Sequence, residues 1–483
     1  MNMWPALIGG LAMLWLGRGT PGASTVRTIP YEDARAIIDA VREDLLPSDL
    51  RATRPPEREA LWPRWITHRD RAIRERLERG DRDSVVNLLI FGSTFTSQPR
   101  PSGEDFAALE EQPRRVSTLL TARLDDLVRA VATPGSNERL QIARAHLARA
   151  GIDPTTPEGR SRARAYLMES LTQGPTELTT YAQAVTAASG QGGAGPPHAG
   201  SAFRDRGLSS DTSIVVNAAL DQALATIKAG GNAYGTDSAP PIRRVGIVGP
   251  GLDFTDKHDG HDFYPLQTIQ PFAVMESLVR HGLARMDDLR VTTLDLSPRV
   301  VDHIGAARRR AEQHTEAASG RAATGEGYVL NLPRNMDLPW GRDLAAYWDG
   351  FGTRIGDRIV GAKVPPAVGN VRVRSVRVKP EIVRAIEPRD VNIVAQRLDL
   401  PASERFDVIV ATDVLVYYDV FEQSLALANI SSMLKPGGLL VTNSQLFELP
   451  AIPMEAVGSL DVVHMTMPII GDVRDRVTWY RRR

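Results

Sequence analysis

The stretch Arg243-Arg-Val-Gly-Ile-Val-Gly-Pro-Gly-Leu-Asp253 constrains the fold of this chain more than any other. A short β-branched run, Val245 to Val248, meets a turn carrying Gly249, Pro250 and Gly251. That pattern reads as the first strand of a doubly wound α/β sheet, stopping where the backbone bends tightly under a ligand. Glycine at such a bend permits dihedrals and close approaches that a Cβ would block.

The chain has 483 residues, more than one ordinary core needs, so two domains or one domain with insertions is expected. Lys+Arg and Asp+Glu both total 58, which removes any global drive toward nucleic acid or anionic membrane. Cysteine is absent, which excludes disulfides, thiol nucleophiles and thiolate metal sites. The apolar stretch 3–16 reads in two ways. It is a signal or anchor, short for a membrane span and lacking a charged leader, or a segment packed on the core. A cytoplasmic protein is the preferred expectation, with membrane contact only if 3–16 is an anchor.

Residues 26–235 read as a mostly helical domain. Ala34, Ile37, Ile38, Val41 and Leu45 recur at helical spacing, as do Leu140, Ala143, Leu147 and Ala150. Ser102 to Asp105 reads as an N-cap box. The run 88–96 reads as a buried helix end or a pocket-lining turn, and the Gly-rich stretch 189–200 as a linker or a site cover. A further helix is expected over 214–227. Residues 236–483 read as the α/β domain, with an insertion at 297–390. After Gly251 the next helix is delayed to about Pro271 by a loop containing Asp253, Phe254, Asp256, His258, Asp259, His261, Asp262 and Tyr264. Strands are expected at 289–295, 390–395, 406–412 and 439–443, and an antiparallel pair at 462–467 and 476–480. Trp340, Tyr347, Trp348 and Phe351 read as packing, with a pocket mouth as the alternative. The alternating 371–378 reads as a solvated strand face, with a phosphate-contacting edge as the alternative.

Val248-Gly-Pro-Gly251, Leu294-Asp295, Leu398-Asp399-Leu400, Phe406-Asp-Val-Ile409 and Leu434-Lys-Pro-Gly-Gly438 together resemble the class I S-adenosylmethionine-dependent methyltransferases over about 242–483. Residues 413–419 also look like the corresponding piece of chemotaxis-receptor methyltransferases. The resemblance implies a Rossmann-like, doubly wound, seven-stranded sheet and S-adenosyl-L-methionine as cofactor. It implies that Gly249, Pro250 and Gly251 pass beneath the methionyl part and that Asp295, followed by Leu296, binds the ribose. It places Asp399 and Leu400 by the adenine, and Thr412 and Asp413 facing cofactor and substrate. The Phe406 and Lys435 motifs mark framework.

The competing dinucleotide fingerprint requires Gly or Ala where Phe254 stands. Methyl transfer asks the protein mainly for orientation and desolvation, with a general base optional. His261, Tyr264 and Asp413 are the candidate catalytic side chains, and no metal is expected. A small-molecule substrate is favoured for O- or N-methylation. Protein or peptide methylation and a non-catalytic cofactor-binding scaffold stay open. Nucleic acid is disfavoured by the neutral charge and by the absence of Asn/Asp-Pro-Pro-Tyr after the fourth strand.

Overall fold

The computed structural model describes residues 24–101, 113–171, 207–230, 241–255, 260–318, 327–446, 448–467 and 471–483. The expectations for 3–16, 102–105 and 189–200, and for Asp256, His258 and Asp259, lie outside these residues.

The chain opens with strand β1 (Val26–Thr28) and helix α1 (Tyr31–Ala40), which buries Ala34, Ile37 and Ile38. Helix α2 (Pro55–Phe91) then runs for 37 residues, followed by α3 (Pro113–Ala132) and α4 (Glu138–Arg149). Asn137 caps α4 by accepting from the amides of Arg139 and Leu140. Residues 157–171 are helical again. Leu88 and Leu89 of α2, Leu124 and Leu127 of α3, and Leu140 and Leu147 of α4 form one apolar core. Phe254 from the α/β domain is buried in that same core. The residue too large for a dinucleotide-type helix contact is therefore the plug that joins the two parts of the molecule.

Helix α5 (Ile214–Ala229) is capped by Ser213 and buries ten of its side chains. It packs against the sheet layer described next. The reason is composition: the Ile214–Ala229 helix is apolar around most of its circumference and cannot face water on any broad side. Strand β2 (Arg244–Val248) leads to the glycine turn, then α6 (Gln270–Arg280), β3 (Arg290–Asp295) and α7 (Pro298–Ala318). Strand β4 (Val329–Asn335), helix α8 (Arg342–Gly350), β5 (Gly356–Ile359) and β6 (Val371–Val378) build a separate three-stranded antiparallel sheet, in the order β4-β6-β5. The remaining elements are β7 (Ile386–Asp390), β8 (Gln396–Leu398), β9 (Phe406–Ala411), α9 (Val420–Met433), β10 (Leu434–Thr442), β11 (Met454–Met467) and β12 (Gly471–Arg482).

The main sheet has seven strands in the order β11-β12-β10-β9-β2-β3-β7. Five are parallel, and β12 pairs antiparallel with both β10 and β11. Numbered by their succession in this sheet, the strands run 3-2-1-4-5 and then a terminal hairpin inserted in the order 7-6. The first five follow the doubly wound order, with the switch point between β2 and β9, so the ligand crevice lies at the Gly249 end.

Two boundaries expected from sequence are corrected. The third sheet strand is Ile386–Asp390, not 390–395; Val391, Ile393, Val394 and Ala395 are buried in a turn. Asn392 holds this turn by donating from Nδ2 to Asp70 Oδ1 at 2.8 Å, while its carbonyl accepts from Ala395 and Gln396. The insertion is likewise smaller than 297–390. Helix α7 is an ordinary crossover helix, its Val300, Ile304, Ala307 and Ala311 facing the core, and β7 belongs to the main sheet. Among the described residues, the β4–β6 unit is the part of this segment that forms a separate sheet.

The connection from β7 to β9 is too short to carry a covering helix. Strand β1 pairs with β8 instead, and α1 packs against α9, so the N-terminal segment covers that face. At the base of the sheet, Asp407 accepts from the amides of Arg243 and Arg244 and from Lys435 Nζ. This explains the framework role of the Phe406 and Lys435 motifs. In the β4–β6 unit Trp348 is fully buried, donates to the Leu332 carbonyl, and lies under the Arg334, Arg372 and Arg374 guanidinium groups. The aromatic helix is thus packing. Of the arginines on β6, Arg374 is buried and donates to the carbonyls of Trp348 and Phe351, while Arg372 and Arg377 face solvent.

Candidate functional site

The glycine turn lies at the tip of β2, between the tips of β3 and β9. Gly249 and Gly251 have φ of 65° and 67°. A Cβ on Gly249 would stand 2.4 Å from Val414 Cγ2, and one on Gly251 would stand 2.7 Å from the Ser210 carbonyl oxygen. The second approach exists because residues 207–212 lie across the turn. Leu252 N donates to Ser210 O at 2.6 Å, and Leu208 N donates to Arg76 O of α2 at 3.0 Å.

Asp295 ends β3 and is buried beside this turn. Its Oδ1 accepts from the Ser297 amide at 2.8 Å, and the Gly251 and Leu296 amides also bond the carboxyl. Burial outweighs those donors and lifts its pKa to about 7, with the nearby Asp390 acting in the same direction. At the tip of β9, Thr412 Oγ1 accepts from Gln270 Nε2 at 2.7 Å. Asp413 adopts a left-handed φ of 56°. Asn443 holds it there: its Oδ1 accepts from the Asp413 amide and its Nδ2 donates to Asp413 Oδ1, both at 2.8 Å.

The pocket so formed has about 60 Å3 of free space, below the roughly 300 Å3 of the smallest ligand sites. Leu77 and Leu296 separate it from a cleft of about 1190 Å3 that runs between α2 and α4 on one side and α7 on the other. Arg149 of α4 and Arg299 of α7 both pair with Asp81 of α2, at 2.6 and 2.7 Å, and the Arg299 pair joins the two domains across the cleft. His303 there hydrogen-bonds Tyr328 Oη, and burial lowers its pKa to about 4, so the ring is neutral at neutral pH.

The structure brings Gly249, Gly251, Asp295, Leu296, Thr412 and Asp413 together around one pocket. Pro250 is buried within the turn. Asp399 and Leu400 are not among its lining residues. They follow β8, where Asp399 faces Arg27 at 3.6 Å and its amide bonds Thr25 O. Leaving β7 after Asp390 to pair with β1 carries this segment away from the sheet tips.

His261 and Tyr264 do not line the pocket either, because the loop that bears them docks on the helical domain. His261 is buried, with Nδ1 3.2 Å from Arg100 Nη1 and its ring edge-on to Phe263. Tyr264 Oη donates to Asp253 Oδ2 at 2.7 Å. Arg139 of α4 donates to the carbonyls of Asp253, Phe254 and Tyr264, and its guanidinium covers the Tyr264 ring. Asp262 accepts four bonds from the amides and hydroxyls of Ser93 and Thr94, at 2.6 to 3.0 Å. The turn after α2 is therefore a docking point for this loop. Asp262→Ala leaves those four donors without their acceptor and is expected to lower stability by about 3 kcal/mol. Urea unfolding measures this, and limited proteolysis is expected to cut first near residue 92.

Three pocket features were missed in the sequence. Residues 209–212 are small and polar and precede the α5 cap, Gln270 is an untitratable side chain in the first turn of a helix, and Tyr417 and Tyr418 follow the fourth strand. The run Ser209-Ser-Asp-Thr212 was the one readable signal, since such clusters mark backbone held by local hydrogen bonds. Among the described residues no group of three or more His, Asp and Glu side chains is placed to hold a metal ion. No described helix is long and apolar enough to cross a membrane.

A family model described as "CheR methyltransferase, SAM binding domain" matches residues 366–447, which span β6 to just beyond β10 and include Thr412 and Asp413. No curated protein matches the chain. Among solved structures it is similar to magnesium protoporphyrin IX methyltransferase (ChlM) from Synechocystis PCC 6803, at 10% identity and a TM-score of 0.24, over 58% of this chain and 83% of that one. It is also similar to the N-methyltransferase NodS from Bradyrhizobium japonicum WM9, at 14% identity and a TM-score of 0.23, over 55% of this chain and 98% of that one. The mitomycin 7-O-methyltransferase MmcR aligns at 15% identity and a TM-score of 0.26, over 89% of this chain and 97% of that one. With its strand order, glycine turn and family match, the C-terminal part of the chain is a class I S-adenosylmethionine-dependent methyltransferase-like domain.

Proposed function

We propose that the protein is an S-adenosylmethionine-dependent methyltransferase acting on a small molecule. One observation carries the cofactor: among the described residues, the pocket at the glycine turn is lined by three carboxylates, Asp211, Asp295 and Asp413, and by no lysine or arginine. A sulfonium nucleoside bearing an ammonium suits such a lining, whereas a dinucleotide pyrophosphate needs donors and positive charge. The residues present fit the group in chemistry. Its size requires the walls at Leu77 and Leu296 to part toward the adjoining cleft. Bound there, S-adenosylmethionine supplies an electrophilic methyl on a sulfonium.

The chain's own residues then do the rest. Asp295 accepts from the ribose hydroxyls, and the Gly249–Gly251 turn lets the backbone approach without a Cβ. Asp413, fixed by Asn443, is the carboxylate at the tip of the fourth strand and takes up the proton that an amine or hydroxyl acceptor loses. Leu77, Leu208 and Tyr418 exclude water from this space. The cleft between the domains, a recess rather than a flat surface, supports a small acceptor over a protein surface. Its four arginines and four carboxylates balance, which suits a neutral or zwitterionic compound.

Incubation of the protein with methyl-tritiated cofactor and, separately, with a small-molecule extract and a proteome is expected to label the small-molecule fraction. Label confined to protein would move the substrate to the peptide class. Cofactor binding without label in either would leave a scaffold.

A further inference from the structure

The least explained atom in the pocket is the side-chain carbonyl of Gln270. Gln270 begins α6, is 3% exposed and lines the pocket. Its Nε2 is used on Thr412, but its Oε1 is buried with no hydrogen-bond partner. Buried acceptors in native proteins are almost always satisfied, so an orphan of this kind on a side chain that lines a ligand pocket points to a donor on the ligand.

Its position says which part of the ligand. Strand β2 lies between β3 and β9. Asp295 stands at the tip of β3, the glycine turn at the tip of β2, and the Thr412–Gln270 pair at the tip of β9. A ligand whose ribose is held at Asp295 and whose chain crosses the glycine turn therefore delivers its far end to Gln270. That end of the pocket also carries Asp413, next to Thr412, and Asp211 lines the same pocket beside the glycine turn, its Oδ2 accepting from Ser84 Oγ at 2.8 Å. The chemistry there is acceptors and negative charge.

We propose that Gln270 is a specificity-determining residue for the amino-acid end of the cofactor, its Oε1 accepting a hydrogen bond from the α-ammonium group. The inference rests on the S-adenosylmethionine reading above. It adds a residue that a motif in the glycine turn would not identify. A charge-assisted bond to an ammonium is strong enough to show as a tenfold change in affinity. Thr412 keeps the amide oriented, because a Gln side chain with one end fixed has little freedom to turn its carbonyl elsewhere.

The test is calorimetric titration of the full chain with S-adenosylhomocysteine and with its deaminated analogue, in which hydrogen replaces the α-amino group. The unsubstituted protein is expected to bind the amino compound about tenfold more tightly, a comparison that needs no variant. Gln270→Met is expected to lose about tenfold in affinity for S-adenosylhomocysteine and nothing for the deaminated ligand. Gln270→Glu keeps an acceptor in place and is expected to bind within about threefold of the parent. Equal affinity of the parent for both ligands would overturn the proposal. So would a Gln270→Met variant that weakens both ligands equally, or a Gln270→Glu variant as weak as Gln270→Met, each with an unchanged unfolding midpoint. If the parent binds neither ligand, the methyltransferase reading itself falls. If it binds both and only the Gln270 pattern fails, that reading stands without this residue.

Discussion

Gly249→Val is expected to abolish S-adenosylhomocysteine binding, with affinity falling more than a hundredfold, and to lower stability by about 3 kcal/mol. Both effects have one origin. The backbone at Gly249 has φ of 65°, where a β-branched residue is strained, and the new Cβ would stand 2.4 Å from Val414 Cγ2. The chain must move the turn or move Val414, and both line the pocket. Gly437 supplies the control. It has φ of 79° in the turn of the Lys-Pro-Gly-Gly motif, with nothing within 4 Å of an added Cβ. Gly437→Ala is expected to cost about 1 kcal/mol in stability and to leave binding unchanged. Calorimetric titration and urea unfolding of the two variants separate the strain of a left-handed residue from damage to the site.

Asp295 makes the second large prediction, through pH. Burial holds its carboxyl at a pKa of about 7, against roughly 3.9 in an unfolded chain. Folding therefore favours the protonated form. The stability linked to this proton is fully present below about pH 4 and is lost as pH rises through 7. Ligand binding runs the other way, because ribose hydroxyls donate to the ionised carboxylate and lower its pKa. Affinity for S-adenosylhomocysteine is expected to rise about tenfold from pH 6 to pH 8, with up to one proton released near pH 7. Asp295→Asn cannot ionise and presents an amide to the backbone donors of Gly251, Leu296 and Ser297. It is expected to bind about a hundredfold more weakly at pH 8 and to lose the pH dependence. Titrations in buffers of different ionisation enthalpy count the proton. A variant that keeps the parent's pH profile would assign the proton to another group.

The sheet was readable because its local chemistry and its topology agree. Val245 to Val248 is apolar on both faces and ends in glycines, Asp295 ends the next strand, and Asp407 and Lys435 tie the base of β2. Residues 390–395 misled because a short buried apolar run has the same composition in a strand as in a packed turn. What decides is the hydrogen bonding of Asn392, which involves Asp70 on a helix more than 300 residues earlier. The crossover helix α7 was absorbed into the expected insertion for a similar reason. Its stripe of Val300, Ile304 and Ala307 does not reveal which surface it covers.

His261 and Tyr264 show the same limit at the site. Sequence placed them next to the glycine turn, but not on which side of it. Asp262, Arg139 and Phe254 turn the loop toward the helical domain, and those partners lie on α4 and in the turn after α2. Gln270 was invisible because its significance rests on one unsatisfied atom, which exists only once Thr412 and the pocket are assembled.

Titration of the full chain at pH 7.5 with S-adenosylhomocysteine, and in parallel with NAD, tests the central claim most directly. The acidic lining that the described residues form around Gly249, Asp295 and Asp413 predicts saturable one-to-one binding of the sulfur nucleoside and none of the dinucleotide. Binding of NAD, or of neither compound, would contradict it.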